Sequence, residues 1–480
     1  MRIASVRVRG TIAALTALGL FAGCDEEGGT GPDAVPATLA NHSVTPTLIK
    51  NLVAGATAYS LISSDDVLAG SPSFIFGGSA DGAGLMRNAD GTFQMLVNHE
   101  DNFSVSSVKL DATFKPVSAQ YLLNSDAGRF RLCSATLATP EEHGFGPIFL
   151  TNGESGNESM IHALDPVAGP NTSRLLPALG KWTSEQSLPL PKTAYPGKTV
   201  IVIGDDDSGV NGGQLVMYVS NTVGDLDNGN LYVLARTDRN VRERDMVVGQ
   251  SYPVDFRQLV NQKDMTGAQL DAASATLQAM KFGRTEDVDY RRGTNAGREL
   301  YFNVTGQNNT GANADFSRTK YGRVYRLLLD SNDPLKGTLS VILDGDDDAG
   351  PAREFQNPDN ITVTENQVYI GEDPNGYGDE THDARIYRYD IATRAFSIVM
   401  ELDHKRGDAK YNTAGPSTFG SWEFGAMVDI SDVVDIDDTF LIAIQPHTWN
   451  GAKYRGVDGG TLRANEQQAS QMIVVKGLPR

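Results

Sequence analysis

Short apolar runs dominate the chain. Runs rich in β-branched, aromatic and aliphatic residues recur at 200–203, 214–220, 230–236, 299–304, 323–329, 339–343, 367–370, 385–389, 396–402 and 440–445. Gly, Asn, Asp or Pro bound each of them, the pattern of strands ended by turns. Leu226-Asp227-Asn228-Gly229 separates two such runs and predicts a hairpin. One stretch, 266–280, has helical spacing: Leu270, Ala273, Leu277 and Met280 share a face, and Thr266 is suited to cap it. The expected fold class is therefore all-β with a short helical insertion.

From residue 47 onward no linker-like break interrupts the strands. Radial repetition explains that continuity better than a string of sandwiches, so 47–480 is expected to form a single β-propeller, six-bladed. Arg323-Val324-Tyr325-Arg326, Arg385-Ile386-Tyr387-Arg388, Leu231-Tyr232-Val233 and Leu300-Tyr301-Phe302 resemble equivalent strands of successive blades, a weak internal repeat.

The N-terminal 23 residues have a different logic. Arg2, Arg7 and Arg9 precede an apolar run at 11–21, and Ala22-Gly23-Cys24 is a small-residue cleavage site, so 1–23 is expected to be a signal peptide. Leu20-Phe21-Ala22-Gly23-Cys24 resembles a bacterial lipobox, which makes Cys24 the expected lipidation site. The Gly-, Pro-, Asp- and Thr-rich residues 24–46 suit a flexible tether. These features imply Sec-type export to the cell envelope, with the membrane engaged through a lipid anchor.

Charge sharpens the picture. The 480-residue chain carries a net charge of −19, and loss of 1–23 removes three Arg and no acid, leaving −22. Such a surplus excludes nucleic acid as a partner and favours cations. With Cys24 lipidated, Cys133 is the one remaining thiol. On its own it suits either a small core residue or a metal ligand.

Acidic or amide segments stand at strand ends: Asn98-His99-Glu100, Asn152-Gly153-Glu154, Trp182-Thr183-Ser184-Glu185, Gly204-Asp205-Asp206-Asp207, Arg284-Thr285-Glu286-Asp287, Pro358-Asp359-Asn360, Gly371-Glu372-Asp373 and Trp422-Glu423. Each alone suits a turn. Gathered at one propeller mouth they would repel one another unless cations were bound. Hard cations such as Ca²⁺ take six to eight oxygen ligands, which these segments can supply. No HExxH, CxxC, P-loop or G-x-S-x-G occurs, and Asp344 to Asp348 lacks the downstream Glu of an EF-hand loop.

In this order the segments resemble the PhoX-type alkaline phosphatases, from about Asn98 to Gln445. The likeness rests on Asn98-His99-Glu100, Cys133 with Thr139-Pro140, Glu154, Gly180 to Glu185, Gly204-Asp205-Asp206, Arg284 to Asp287, Gly322 to Arg326, Phe355 to Asn360 with Glu372, Glu423-Phe424 and Phe440 to Gln445. It implies a propeller phosphomonoesterase built around calcium and iron. It further implies Cys133, Glu154, Glu185, Asp206, Glu286, Asp359 and Glu372 as metal ligands. Arg284 and Glu286 would be catalytic, with Arg284 on the phosphate of a phosphate-ester substrate, and a monomer is the expected state.

The chain departs from the family pattern in four places, one of them at Asn152-Gly153-Glu154, which lacks the family's second carboxylate-rich neighbour. Ser184 replaces the His before Glu185, Thr285 replaces the Pro before Glu286, and Arg7-Val8-Arg9 is not a twin-arginine signal. The alternative function is a non-catalytic, calcium-stabilised propeller acting as a binding or adhesion module. A phytase-like or lactonase-like hydrolase is a third.

Overall fold

Every apolar run identified in the sequence coincides with a strand. The strand Thr199–Asp205 shows why the runs are nearly continuous: Val200 and Val202 enter one hydrophobic core while Ile201 and Ile203 enter the next. Alternate side chains leave opposite faces of a strand, so one packed on both sides must be apolar throughout. The hairpin expected across residues 226–229 joins Leu215–Ser220 to Asn230–Arg236. The computed structural model describes residues 36–413 and 415–480. The signal segment and Cys24 lie outside the described residues.

The fold is an all-β propeller with few helices. Backbone pairing divides the strands into five sheets rather than six separate blades: three of four strands, one of five and one of nine. In the nine-stranded sheet, Ser184–Pro189 opens a meander that ends at Ser251–Leu259. That strand pairs onward with Lys336–Asp344, the last of a second meander begun by Thr285–Tyr290. This edge-to-edge junction is why sequence spacing alone overcounts the sheets. Closure comes from the termini, because Thr57–Ser63 pairs with Gln471–Lys476 beside Thr439–Gln445 and Glu423–Asp429.

The helix runs Gly267–Thr276, shorter than the expected stretch. Thr266 accepts from Gln269 N and Gln269 Oε1 accepts from Thr266 N, a reciprocal cap. Of the repeated phrases, only 323–326 and 385–388 are equivalent third strands of their meanders. The segment 231–233 belongs to a fourth strand and 300–302 to a second. Residues 36–46, assigned to the tether by composition, attach to the propeller: Thr38 N donates to Thr113 O, and His42 N and Ser43 N to Ser60 O.

Six strands pack each against the next in a closed ring: Ala80–Arg87, Leu132–Ala138, Ser184–Pro189, Thr285–Tyr290, Pro358–Val363 and Glu423–Asp429. All six carry a β-bulge in the same place. The last ladder pair before it is Ala80 with His99, Leu132 with Gly153, Ser184 with Asp205, Thr285 with Val304, Pro358 with Glu372 and Phe424 with Ile444. A bulge bends its strand and re-aims the side chains beside it.

Neighbouring strands approach the bulges closely. A Cβ on Gly82 would lie 2.4 Å from Ala135 N, and one on Gly204 would lie 2.1 Å from Glu286 O. Gly204→Ala is therefore expected to cost about 1–3 kcal/mol through overpacking. Gly169→Ala, where nothing lies within 4 Å, is expected to be neutral. Urea midpoints of the two variants check this.

Candidate metal centre

The six-fold register turns scattered residues into rings. The first bulge residue of each strand is Asp81, Cys133, Glu185, Glu286, Asp359 or Gly425. The residue following each paired partner is Glu100, Glu154, Asp206, Thr305, Asp373 or Gln445. The residue preceding each last ladder pair is Ser79, Arg131, Thr183, Arg284, Asn357 or Glu423. Gly425 is glycine for a steric reason: a Cβ there would lie 2.9 Å from both the Cα and Oδ1 of Asp81.

These rings line a cleft of about 320 Å³, shared among others by Asp81, Glu100, Glu154, Glu185, Asp206, Arg284, Glu286, Asp359, Asp373 and Glu423. Three groups offer ligand atoms all within 4.8 Å of one another: Asp81, Cys133 and Glu185; Glu100, Cys133 and Glu154; and Glu185, Glu286 and Asp359. Cys133 Sγ lies 2.8 Å from both Glu100 Oε1 and Glu154 Oε2. The fold thus brings together Cys133, Glu154, Glu185, Asp206, Glu286, Asp359 and Arg284 of the residues singled out in the sequence.

Glu372 does not join them. Its Oε1 accepts from Gln356 N at 2.7 Å, and its Oε2 accepts from Arg385 N at 2.9 Å and lies 3.1 Å from His382 Nε2. It belongs to the strand, paired with Pro358. Asp373 occupies the ring position one residue later, and strand alternation sends the two side chains to opposite faces.

Asp81, Glu100, Asp373 and Glu423 complete the cleft without having been assigned as ligands. Three of them stood in the strand-end segments, and the bulge register is the signal that sorts them. Asp81 had no sequence signal beyond an acid next to Gly82. The triplet Asn98-His99-Glu100 divides its labour. Asn98 Nδ2 donates to Ser134 O at 3.4 Å and, more closely, to Cys133 O, pinning that bulge. His99 is buried with Nε2 2.7 Å from Ser106 Oγ, and only Glu100 reaches the cleft.

Arg284 is the most constrained side chain of the site. Its backbone is left-handed at φ 71°, unusual for a long side chain. Nε donates to Asp206 Oδ1 at 2.6 Å and Nη2 to Asp206 Oδ2 at 2.9 Å. Nη1 donates to Asn375 Oδ1, and Glu286 Oε1 lies 3.5 Å from Nη2. A bidentate guanidinium–carboxylate pair fixes orientation as well as charge.

Electrostatically the cleft is unfavourable on its own. Burial, and then the neighbouring Glu100, push the Asp81 carboxyl well above its ordinary range. Burial followed by Asp359 and Glu286 does the same to Glu185, burial followed by Asp206 to Glu286, and burial followed by Asp373 to Asp359. Glu154 is pushed up to about 8 by burial, Asp206 and Glu100. Burial, then Glu100 and Glu154, hold the Cys133 thiol protonated.

The residues fit a cation cluster. Asp81 Oδ1, Glu286 Oε1 and Asp359 Oδ1 are buried and make no hydrogen bond, and each such orphan costs about 1–3 kcal/mol or more when charged. Bound cations would give those oxygens partners and remove the mutual repulsion. Carboxylates suit calcium, whereas a thiolate beside two carboxylates suits a transition metal such as iron.

No family model and no curated protein matches the sequence. Solved structures do resemble it. Pseudomonas fluorescens PhoX in complex with vanadate, a transition state analogue, superimposes with a TM-score of 0.61 and 15% identity, covering 93% of this chain and 97% of that one. An α-L-arabinofuranosidase of Fusarium graminearum in complex with an iminosugar inhibitor gives 0.41 and 12% identity over 87% of this chain and 97% of its own. A PQQ-bound aldose sugar dehydrogenase of Streptomyces coelicolor gives 0.37 and 10% over 88% and 100%. The first likeness establishes a shared propeller fold.

Metal-free protein is expected to become less stable as pH rises. Folded Glu154 holds its proton up to about pH 8 against an ordinary value of 4.5. The stability linked to that proton is therefore complete below pH 4.5 and lost by pH 8. Melting temperatures of chelator-treated protein should fall between pH 5 and 8, and added calcium and iron together should remove most of the decline.

Proposed function

We propose that this chain is a metal-dependent phosphomonoesterase of the cell envelope, similar in chemistry to the PhoX-type alkaline phosphatases. The observation that carries the reading is Arg284, locked by Asp206 and flanked by Glu286, at the edge of a cleft where Cys133 and carboxylates from five bulged strands converge. The shared fold with a phosphatase that binds a vanadate transition-state analogue supports it. We count the nine-stranded sheet as two blades, making six. Ser184–Pro189 begins a five-strand meander and Thr285–Tyr290 a four-strand one, and both carry the same bulge.

Cys133, Glu100 and Glu154 would hold iron. Asp81, Glu185, Glu286 and Asp359, with the nearby Asp206 and Asp373, would hold calcium. When bound, such ions stabilise the charge that spreads over the oxygens of a transferring phosphoryl group. Arg284 keeps Asp206 and Glu286 in place and contributes a fixed positive charge facing the substrate's phosphate. Asn98 holds the Cys133 bulge from the adjacent strand, so the thiol cannot drift from its carboxylate partners.

Reconstitution tests this directly. Protein loaded with calcium and iron is expected to hydrolyse p-nitrophenyl phosphate, and Cys133→Ser to lower turnover at least a hundredfold with a folded circular-dichroism spectrum. No hydrolysis under any metal supplementation would favour the non-catalytic propeller, a reading to which Ser184, in place of the family's His, lends weight.

The lipidated Cys24 would anchor the enzyme on the membrane by its N-terminus. Wild-type protein is expected in the membrane fraction of its host, and Cys24→Ser in the soluble one. An unchanged distribution would remove the anchor from the proposal.

A further inference from the structure

Three arginines line the cleft: Arg463 is held by Asp101 O at 3.0 Å and by Glu466 at 3.1 Å, and the other two, Arg131 and Arg284, are related by register. Arg131 precedes Leu132 as Arg284 precedes Thr285, each one residue before the last ladder pair of its bulged strand, with the strand Ser184–Pro189 packed between the two strands. Both line the same cleft. They differ in what already occupies them. Arg284 has Nε, Nη1 and Nη2 engaged by Asp206 and Asn375, and its side chain is largely buried.

Arg131 makes no side-chain hydrogen bond among the described residues, and its side chain is 52% exposed. The carboxylate nearest its guanidinium, Glu154 Oε2, is 3.6 Å away, beyond hydrogen-bond length. Its backbone is tied down, because Arg131 N donates to Ser155 Oγ at 2.7 Å and Arg131 O accepts from Glu154 N at 2.8 Å. A fixed backbone carrying a guanidinium that is ion-paired with Glu154 but makes no hydrogen bond, on the wall of the cleft shared with Glu100 and Glu154, is a donor group awaiting an acceptor.

A guanidinium offers a planar fork that matches phosphate oxygens, and charge-assisted bonds of this kind are about twice as strong as neutral ones. The cleft's own acids cannot fill that fork if they are turned toward cations. A ligand with several anionic oxygens can.

We propose that Arg131 is the arginine that grips the phosphate of the substrate, with Arg284 serving as the fixed charge that organises the ring. This rests on the phosphatase reading for the identity of the ligand. Arg131 is a substrate-binding residue here and takes no part in bond breaking. The family resemblance directs attention to Arg284, whereas the unoccupied donors belong to Arg131.

Isothermal titration of inorganic phosphate into calcium- and iron-loaded wild-type, R131Q and R131K protein tests the assignment, with metal content and melting temperature measured on each. Loss of a pair of charge-assisted bonds is expected to weaken phosphate binding about 10- to 100-fold in R131Q. R131K should be intermediate, and metal content and melting temperature unchanged in both. Phosphate binding by R131Q within twofold of wild type overturns the proposal. So does a wild-type protein that binds no phosphate, or a weakening that appears only with loss of metal. If phosphate binding depends on Arg131 but p-nitrophenyl phosphate is not hydrolysed, the binding proposal stands and the catalytic reading falls.

Discussion

One structural constraint organises this propeller: six strands must carry the same bulge at the same height. A regular strand sends alternate side chains to its two faces. The extra residue in each bulged strand breaks that alternation beside the cleft and aligns Asp81, Cys133, Glu185, Glu286 and Asp359 in one tier. The close approaches at Gly82, Gly204 and Gly425 and the Asn98 and Asn303 amides that hold neighbouring bulge carbonyls are supports of that arrangement. The hydrophobic cores between sheets supply the stability against which the tier can be strained.

The strain is electrostatic. Burying like charges without partners is among the most unfavourable things a fold can do, and proteins resolve it by protonation, by pairing or by metal. Pairing accounts for part of this cleft, since Arg284 takes Asp206, and Arg463 lies 3.9 Å from Asp101. It leaves Asp81 Oδ1 and Asp359 Oδ1 without a partner, and gives Glu286 Oε1 only an arginine nitrogen at 3.5 Å and no hydrogen bond. A thiol among them is costly as a thiolate and of little use as a thiol. Cations resolve both problems at once, and the proposed chemistry follows from what those cations do to a phosphate.

Much of this was legible in the sequence, for a physical reason. Strands buried on both faces announce themselves as apolar runs, so 200–203 and 440–445 could be placed from composition and length. Acids at strand ends were visible too, and Cys133, Glu154, Glu185, Asp206, Glu286 and Asp359 do meet. Register was not legible, because a strand's last paired residue leaves no mark in the sequence. Glu372 and Asp373 are adjacent acids, and only the pairing of Glu372 with Pro358 decides which one faces the cleft. Asp81 sits mid-run between small residues and reveals itself only through the bulge. The edge-to-edge pairing of Ser251–Leu259 with Lys336–Asp344 is equally silent, since it joins strands far apart in the chain.

The central claim is that the two acidic tiers exist to hold metal. Elemental analysis of protein purified without chelator measures it most directly. Several calcium ions and at least one iron per chain are expected in the wild type, with the iron lost in Cys133→Ser and calcium reduced in Glu185→Gln. Less than one ion of any kind per chain, in protein that is folded and has been offered both metals, would contradict the account.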